Sequence, residues 1–345
     1  MRIKEALCFD DILLVPQKSK IQSRTQIDLS TSIGSVKFDI PISSSPMDTV
    51  TESSMARAIT DFGGLGVIHR YNTIREQCAI IYSVREFFEE QSSDKVNKIS
   101  AAVGVNGDSL ERAIALYSAG ARILCIDVAH GHHSMVEAAI KGIKDRYGSA
   151  VTVIAGNVAT PEGYLELSSW GADAVRIGIG GGSICSTRIQ TGHGVPTFQS
   201  VIDCRDIPGA AIIADGGIKT SGDIVKAIAA GADMVMLGSM LAGTKESPGE
   251  VFHSKDKKQY KVYRGMASPE AQIAWRGNAR SLEGISTTIP YKGPVCQVLS
   301  DTTQKIKSGF SYTGSRNIAE FQSKAKFIRQ TSSGMSESKT HILLK

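Results

Sequence analysis

The stretch ILCIDVAHGHHSMVEAAIKGIKDRYGSAVTVIAGN, residues 123–157, contains one complete strand–helix–strand repeat. Its two apolar runs, 123–126 and 151–155, consist of aliphatic and β-branched residues and lead into Asp, Gly or Asn, which is typical of buried parallel strands. Between them, residues 134–148 carry apolar side chains at helical spacing and end at a glycine. The stretch therefore predicts a parallel sheet covered by a helix.

Eight apolar runs of this kind recur along the chain, separated by helical segments. They are PISSS (41–45), LGVIHR (65–70), ISAAVGV (99–105), ILCIDVAHG (123–131), VTVIAGN (151–157), AVRIGIGGG (174–182), AAIIADGG (210–217) and MVMLGS (234–239). Two further helices are predicted over 109–120 and 221–233. The rival architecture, an open doubly wound sheet, commonly carries GxGxxG or a P-loop, and the chain has neither. We predict an α/β protein, a (β/α)8 TIM barrel with short N-terminal and C-terminal extensions.

The composition indicates a chain that folds in water, and 345 residues fit one large barrel or two ordinary domains. Because no long linker or low-complexity tract interrupts the predicted barrel, we predict a single domain over residues 1–345. With 41% hydrophobic and 21% charged residues and no run of eighteen apolar residues, it is neither disordered nor membrane-spanning. The net charge of +5 suits an anionic small molecule as easily as a nucleic acid. Six scattered cysteines without a CxxC, and an N-terminus of mixed charge without an apolar leader, predict reduced thiols and a cytoplasmic location.

The loops after the seventh and eighth strands predict a phosphate site. TIM barrels place their chemistry at the carboxyl ends of the strands and often bind phosphate in these two loops. Here they contain Asp215-Gly216-Gly217 and Gly238-Ser239. Glycine lets the backbone approach a phosphate, and Asp215 suits a ribose diol, so a nucleoside monophosphate fits better than a sugar phosphate. Either loop by itself is equally explained as an ordinary strand-to-helix turn.

The sixth strand carries a lone thiol to the same end of the barrel. Cys185 lies in the segment GIGGGSICSTR, residues 178–188, among glycine and hydroxyl residues. A cysteine beside Arg188 and backbone amides is a candidate nucleophile, because these groups favour the thiolate. The alternative, a small buried apolar side chain, is the more common fate of a free cysteine, but core aliphatics do not surround this one in sequence. The pattern favours the nucleophile.

Ten motifs, in order along the whole chain, resemble the family of IMP dehydrogenase and GMP reductase. They are FDDILLVP (9–16), PMDTVTE (46–52), GVIHR (66–70), DVAHGH (127–132), AGNVATPEG (155–163), GGGSICSTR (180–188), ADGGIKTSGDI (214–224), VMLGSMLAGTKESPGE (235–250), YRGMAS (263–268) and EGISTTIPYKG (283–293). The resemblance implies a barrel that holds a purine nucleotide (GMP or IMP), a cysteine that attacks purine C2, and a nicotinamide cofactor that exchanges hydride there. It also implies a homotetramer.

Two absences favour the reductase branch of that family. The dehydrogenase usually carries CBS modules after the second strand, and 74–98 leaves no space for them. It also hydrolyses its intermediate with an Arg-Tyr pair on a long flap, whereas the corresponding flap here, about 266–283, is short and has no such pair. The resemblance therefore implies NADPH-dependent conversion of GMP to IMP. A dehydrogenase without CBS modules, using IMP and NAD, stays open, because the tail over 329–338 within the C-terminal extension (about 294–345) is similar to that enzyme's.

The resemblance also implies a role for each matching residue. The catalytic residues would be Cys185, with Thr187 and Glu283 as the proton shuttle. The substrate-binding residues would be Ser183, Asp215, Gly216, Gly217, Gly238, Ser239, Tyr263, Gly265, Met266, Ala267, Arg280 and Gly284. The cofactor-binding residues would be Arg70, Asp127, Val128, Ala129, Ile179 and Gly180. A potassium ion would bind at Gly180, Gly182, Cys185 and Arg188.

Three other interpretations are weaker. The cluster His130, His132 and His133 lacks the fourth ligand and acidic helper that a zinc site needs. The basic run SKDKKQYKVYR, residues 254–264, is typical of a solvated hairpin rather than a nucleic-acid surface. A nucleotide-binding barrel without turnover is disfavoured because the chain retains Cys185. We therefore expect no nucleic-acid partner and no membrane association.

Overall fold

The computed structural model describes residues 3–91, 93–254, 257–279 and 283–338. Within these residues the strands are β1 (Ile12–Leu14), β2 (Thr31–Ile33), β3 (Val36–Phe38), β4 (Ile42–Ser44), β5 (Leu65–Ile68), β6 (Ser100–Val103), β7 (Ile123–Asp127), β8 (Thr152–Val158), β9 (Ala174–Ile177), β10 (Ala211–Asp215), β11 (Met234–Leu237), β12 (Phe252–His253), β13 (Gln259–Arg264), β14 (Ser286–Pro290) and β15 (Phe327–Arg329).

The helices lie mostly between these strands. They are α1 (Ser53–Asp61), α2 (Ile74–Glu89), α3 (Ser109–Ala119), α4 (Ser134–Tyr147), α5 (Pro161–Ser169), α6 (Thr187–Thr191), α7 (Thr197–Cys204), α8 (Ser221–Ala229), α9 (Pro269–Arg276), α10 (Val295–Ser311), α11 (Ile318–Lys324) and α12 (Ser332–Glu337). Short 3-10 helices occupy Phe9–Asp11, Arg24–Gln26, Asp94–Lys98 and Gly148–Ala150.

Strands β4 to β11 form a closed, all-parallel barrel in chain order. The ring closes where β11 pairs with β4, with Val235 opposite Ile42. These are the eight predicted strands, and α3, α4 and α8 are the predicted helices, so the (β/α)8 barrel is confirmed. Between β5 and β6 the described chain contains only α2 and one 3-10 helix, in agreement with the expected lack of an inserted module.

Hydroxyl side chains start several of the helices just beyond the strand ends. Thr73 and Thr220 form capping boxes with Glu76 and Asp223 at the starts of α2 and α8. Thr160 caps α5, with proline in its first turn. These caps satisfy amide groups that would otherwise lack a partner, so the connections from the barrel strands to these three helices are short.

The apolar core has two layers. The larger one lies between the barrel and its surrounding helices and includes Ile68, Leu124 and Phe310. The smaller one fills the barrel interior with side chains such as Ile154 and Ile213. Alternate residues of each strand point inward and outward, which is why continuous apolar runs were needed to build both layers.

A hairpin closes the amino-terminal end of the barrel. Strands β2 and β3 pair in antiparallel fashion, and Ile33 and Phe38 are fully buried against the interior layer. They contact residues at the starts of barrel strands, including Leu65 and Ile123. The hairpin therefore seals this end, and the opposite end stays available for a ligand.

The two terminal segments pair with each other beside the barrel. Strand β1 is antiparallel to β15, and a bidentate ion pair joins Glu5 to Arg329 at 2.5 and 2.6 Å. Phe198 makes edge contacts with Phe9 and Phe327, which ties the strand pair to α7.

A small sheet lies over the carboxyl end of the barrel. Strands β12, β13 and β14 are antiparallel, so the predicted hairpin over 254–264 is present and gains a third strand. Its predicted solvation does not hold at Lys261, which is only 3% exposed. No helix among the described residues has the length and apolarity to cross a membrane.

Candidate active site

The carboxyl ends of the barrel strands surround a cavity of about 440 Å³. All predicted catalytic and cofactor-binding residues line it, as do all predicted substrate-binding residues except Arg280, which lies outside the described residues. The structure therefore brings together residues from nearly every strand end.

The loop after β9 carries Cys185 into this cavity. Its first residue, Gly178, has φ of +146°, and a Cβ there would lie 1.9 Å from the Asp215 carbonyl oxygen. Only glycine fits this close approach of two neighbouring strand ends. Further along, the Cys185 amide donates to the Gly182 carbonyl at 3.1 Å, and α6 begins two residues later. The tight loop thus fixes where the thiol lies.

Cys185, Thr187 and Glu283 form a continuous hydrogen-bond chain. The Cys185 thiol donates to Thr187 Oγ1 at 3.1 Å, and the Thr187 hydroxyl donates to Glu283 Oε2 at 2.9 Å. Backbone contacts hold the two segments together, because the Ser186 amide donates to the Glu283 carbonyl at 3.0 Å and Cys185 forms an isolated bridge with Gly284. The arrangement can move a proton between the sulfur and a carboxylate.

A buried guanidinium links the two acidic residues of the cavity. Arg176 donates from Nη1 to Asp127 Oδ1 at 2.6 Å and from Nη2 to Asp215 Oδ2 at 2.8 Å. Burial opposes its charge, but the carboxylates of Asp215 and Asp127 outweigh burial and raise the Arg176 pKa. Asn157 Nδ2 adds a 2.8 Å hydrogen bond to Asp215 Oδ2. The network orients Asp215 and Asp127 relative to each other.

The sequence analysis did not single out Arg176 or Asn157. Arg176 is a charged residue inside the apolar run AVRIGI, a pattern that could have identified it, because charge inside a buried strand is rare without a paired partner. The neighbouring Cys125 thiol, 3.6 Å from Arg176 Nη1, is buried, and burial raises its pKa to about 11. Cys125 is therefore a core thiol, unlike Cys185.

The predicted phosphate loops meet on one side of the cavity. Gly216 and Gly217 follow β10, Gly238 and Ser239 follow β11, and Tyr263 lies against them. A Cβ on Gly238 would lie 2.9 Å from the Tyr263 hydroxyl oxygen. Burial raises the pKa of Tyr263, so its phenol stays protonated and can donate a hydrogen bond.

The opposite side carries the predicted cofactor residues. Arg70 Nη2 donates to the Asp127 carbonyl at 3.1 Å, while its buried Nε has no hydrogen-bond partner in the described part of the chain. Tyr71 stacks on Trp275 of α9, with ring centroids 4.3 Å apart. The Arg70 guanidinium lies 5.5 Å from the Tyr71 ring and 5.9 Å from the Trp275 ring.

A second cavity of about 1220 Å³ also has Tyr71 in its wall. Arg75, Arg112 and Arg276 line it together with carboxylates such as Glu76. Tyr71 lines both cavities, whereas Trp275 lines only the second, so a long ligand could extend past Tyr71 from the first cavity toward the second. The sequence analysis missed Tyr71 and Trp275 because aromatic pairing across 204 positions leaves no local pattern.

The predicted potassium residues lie in the β9 loop. Gly180 and Gly182 line the cavity, whereas Arg188 turns away, packs its side chain on Gly180 and donates to the Val195 carbonyl at 2.9 Å. Among the described residues no group of three His, Cys, Asp or Glu side chains is placed to hold a metal ion. In particular, His132 Nε2 lies 2.9 Å from Glu166 Oε2.

Known proteins share this architecture and sequence. The model of the IMP dehydrogenase / GMP reductase domain matches residues 6–341. An inosine-5′-monophosphate dehydrogenase from Nitrosopumilus maritimus is 34% identical, with all of both chains covered. A GMP reductase from Leishmania major is 32% identical over 99% of this chain and 98% of its own.

A solved structure agrees with both relatives. The GMP reductase of Trypanosoma brucei, crystallised in complex with guanosine 5′-monophosphate, superposes with a TM-score of 0.90 at 31% identity and covers 98% of each chain. Relatives of both names match at similar identity, so they define the family and not the individual reaction. The chain belongs to the IMP dehydrogenase / GMP reductase family of oxidoreductases, whose members act on purine nucleotides with a nicotinamide cofactor.

Proposed function

We propose that the protein is a GMP reductase that converts GMP, NADPH and one proton into IMP, ammonia and NADP⁺. One observation carries the proposal: the hydrogen-bond chain from Cys185 through Thr187 to Glu283. Loss of the exocyclic amine requires a proton at the leaving nitrogen, and this chain can deliver one. The short segment that contains α9 supports the same choice, since it has no Arg-Tyr pair to activate water.

The nucleotide would lie across the carboxyl end of the barrel. Asp215 would accept hydrogen bonds from the ribose diol, held in place by Arg176 and Asn157. The amides around Gly216 and Ser239 would face the phosphate. This pose directs purine C2 to the β9 loop and its nucleophile.

The reaction then balances with one proton from solvent, which restores the Cys185 thiol after the C2–S bond breaks. Cys185 Sγ forms a bond to C2, and its proton passes through Thr187 to Glu283. The same proton goes to the exocyclic nitrogen, the C2–N bond breaks, and ammonia leaves a thioimidate. NADPH, when bound, supplies the hydride that converts this intermediate into IMP. Cleavage of the C2–S bond returns the sulfur to the enzyme.

The cofactor side fits a dinucleotide. The Arg70 guanidinium, which lines the first cavity and lies 3.7 Å from Asp127 through Nε, provides a cation, and the adjoining second cavity provides space for a phosphate-bearing ligand. Backbone carbonyls of Gly180, Gly182 and Cys185 are hard oxygen donors of the type that would hold potassium and order the β9 loop. Six unpaired cysteines support a reducing, cytoplasmic location. The homotetramer stays a prediction from the family resemblance.

Nicotinamide absorbance distinguishes the proposal from its alternative. Purified protein with potassium is mixed with GMP and NADPH in one sample and with IMP and NAD in another. We expect oxidation of NADPH in the first sample and no NADH in the second. Formation of NADH in the second sample would instead show an IMP dehydrogenase. No change of absorbance in either sample would contradict catalysis on these nucleotides.

Two cysteine variants test the nucleophile. Cys185→Ala removes the attacking sulfur, so we expect turnover to fall by at least about 10³-fold while GMP still binds. Cys296→Ala is the matched control, because this exposed thiol lies outside the site. Equal activity of the two variants would contradict covalent catalysis by Cys185.

A further inference from the structure

The loop after β11 folds into a tight turn at the predicted phosphate side. The amides of Leu241 and Ala242 both donate to the Gly238 carbonyl, at 3.0 and 2.8 Å. Gly238 and Ser239 line the cavity. The amides of Ser239 and Met240 make no hydrogen bond within the described chain, so two consecutive donors are available to an anion.

Lys292 holds this turn from outside the cavity. It follows β14, its ammonium donates to the carbonyls of Ser239 and Met240, and its amide donates to the Gly243 carbonyl at 2.8 Å. Lys292 is not part of the cavity wall. Burial lowers its pKa to about 8, and among the described residues no charged side chain contributes to that shift. Within the part of the chain that the structure describes, Lys292 is therefore a partly buried cation whose ammonium donates to loop carbonyls and forms no ion pair.

The geometry has a direct electrostatic consequence. In a trans peptide unit the C=O and N–H bonds point in opposite directions. Because the Ser239 carbonyl faces the ammonium, the Met240 amide in the same peptide unit faces away from Lys292. A fixed positive charge behind the turn also adds to the attraction of an anion bound in front of it.

We propose that Lys292 is a positioning residue that sets the affinity of the site for the phosphate group of its nucleotide without contacting that group. The inference rests on the proposed function only in taking a nucleoside monophosphate as the ligand. It applies equally to GMP and IMP, since both carry the same phosphate.

Lys261 provides a matched control. Lys261 is a buried lysine in β13 of the small sheet, and its ammonium donates to the carbonyls of Lys245 at 3.3 Å and Ser247 at 2.6 Å. Those carbonyls lie beyond the turn that faces the cavity. Lys261→Met therefore removes a comparable buried cation and comparable hydrogen bonds without altering the turn.

The experiment compares Lys292→Met, Lys292→Arg and Lys261→Met by calorimetric titration with GMP, IMP and guanosine. For Lys292→Met we expect the Kd of both nucleotides to rise about 30-fold, as for loss of a charge-assisted contact, with guanosine affinity unchanged. The KM for GMP rises in parallel and kcat stays within about threefold. Lys292→Arg restores nucleotide affinity to within about fivefold, and Lys261→Met leaves the nucleotide-to-guanosine affinity ratio at the wild-type value.

Three results would overturn the inference: equal weakening of GMP and guanosine by Lys292→Met, the same change of ratio in Lys261→Met, or failure of the wild type to bind either nucleotide. Lys292→Gln serves in place of Lys292→Met if the latter does not fold, and it must weaken GMP selectively as well. A wild type that binds nucleotide without turnover would contradict the proposed function alone, because the affinity comparison does not depend on catalysis.

Discussion

The two ends of the barrel interior differ in chemistry although the same eight strands build both. At the amino-terminal end, Ile33 and Phe38 of the hairpin pack on apolar side chains such as Leu65. At the carboxyl end, Arg176 lies between two carboxylates within hydrogen-bond distance. Apolar packing stabilises the fold wherever it occurs, whereas buried charges are costly unless paired. The difference separates apolar packing at one end from a polar cavity at the other, where we propose that the ligand binds.

The cavity at the carboxyl end reduces the cost of burying the charge of Arg176. Arg176 is nearly buried, but its partners Asp127 and Asp215 border the cavity and keep part of their surface in contact with solvent. The network therefore pairs both terminal nitrogens of the guanidinium and leaves carboxylate oxygens available to a ligand, whereas Arg176 Nε has no hydrogen-bond partner among the described residues. Substitutions at the carboxyl end should therefore alter binding and turnover, whereas substitutions at the amino-terminal end should alter only the free energy of unfolding.

The largest effect on turnover is expected at Glu283, which lines the cavity at the carboxyl end of the barrel. Glu283→Gln removes the carboxylate that receives the proton from Thr187, so we expect kcat to fall by about 10²- to 10⁴-fold with little change in GMP affinity. Stopped-flow absorbance and titration with GMP measure the two quantities. Glu270→Gln, on the exposed surface of the same segment, is the control, and wild-type turnover of Glu283→Gln would contradict the shuttle.

A pair of variants compares the ends directly. Arg176→Met leaves Asp127 and Asp215 without their cation, and we expect it to destabilise the fold by about 3–5 kcal/mol and to weaken both nucleotide and cofactor binding. Phe38→Ala should cost a similar 3–5 kcal/mol or so through a cavity, with kcat per folded molecule unchanged. Urea unfolding and initial rates test this, and reduced kcat in Phe38→Ala would show that the ends are coupled.

A smaller effect is expected at the aromatic pair. Trp275→Ala removes the stack on Tyr71, worth roughly 0.5–1.5 kcal/mol, so we expect the KM for NADPH to rise by up to about tenfold while the KM for GMP stays unchanged. Trp275→Phe keeps a stacking ring and should preserve most cofactor affinity. Equal changes in both KM values would place the pair outside cofactor binding.

The smallest effect concerns pH. Lys292 has its pKa lowered to about 8 by burial, and the groups that face it are the neutral carbonyls of Ser239 and Met240. It is charged below that pH and neutral above it, so GMP should bind about fivefold more weakly at pH 9 than at about pH 7. GMP affinity is measured by calorimetry in a Cys185→Ala protein, so that ionisation of the Cys185 thiol does not contribute to the pH dependence. In the same protein, Lys292→Arg should make GMP affinity less dependent on pH.

The same shift predicts the direction of the change in stability. Because the folded pKa of Lys292 lies below its ordinary value of 10.5, the unfolded chain binds more protons between about pH 8 and 10.5. The contribution of this lysine to the free energy of unfolding therefore rises with pH across that window. Urea titration of wild type and Lys292→Met measures it, and parallel pH curves would contradict the shift.

The sequence by itself determined the barrel and much of its site. Apolar runs that end in glycine or polar residues record burial on both sheet faces, which is a local property, and all eight strands were predicted from them. The glycine-rich setting of Cys185 and the loops at Asp215 and Gly238 were also predictable, because barrels gather strand ends at one face. Ordered motifs along the chain indicated the family.

Only the tertiary structure decided which side chains meet. Thr187 and Glu283 are 96 residues apart, and Arg176 reaches partners 49 and 39 residues away. Lys292 supports a turn 53 residues before it. Sequence periodicity reports which face of an element is buried, but it carries no information on the partner across a closed ring. Barrel closure brings these distant groups together, and their pairing determines the chemistry of the site.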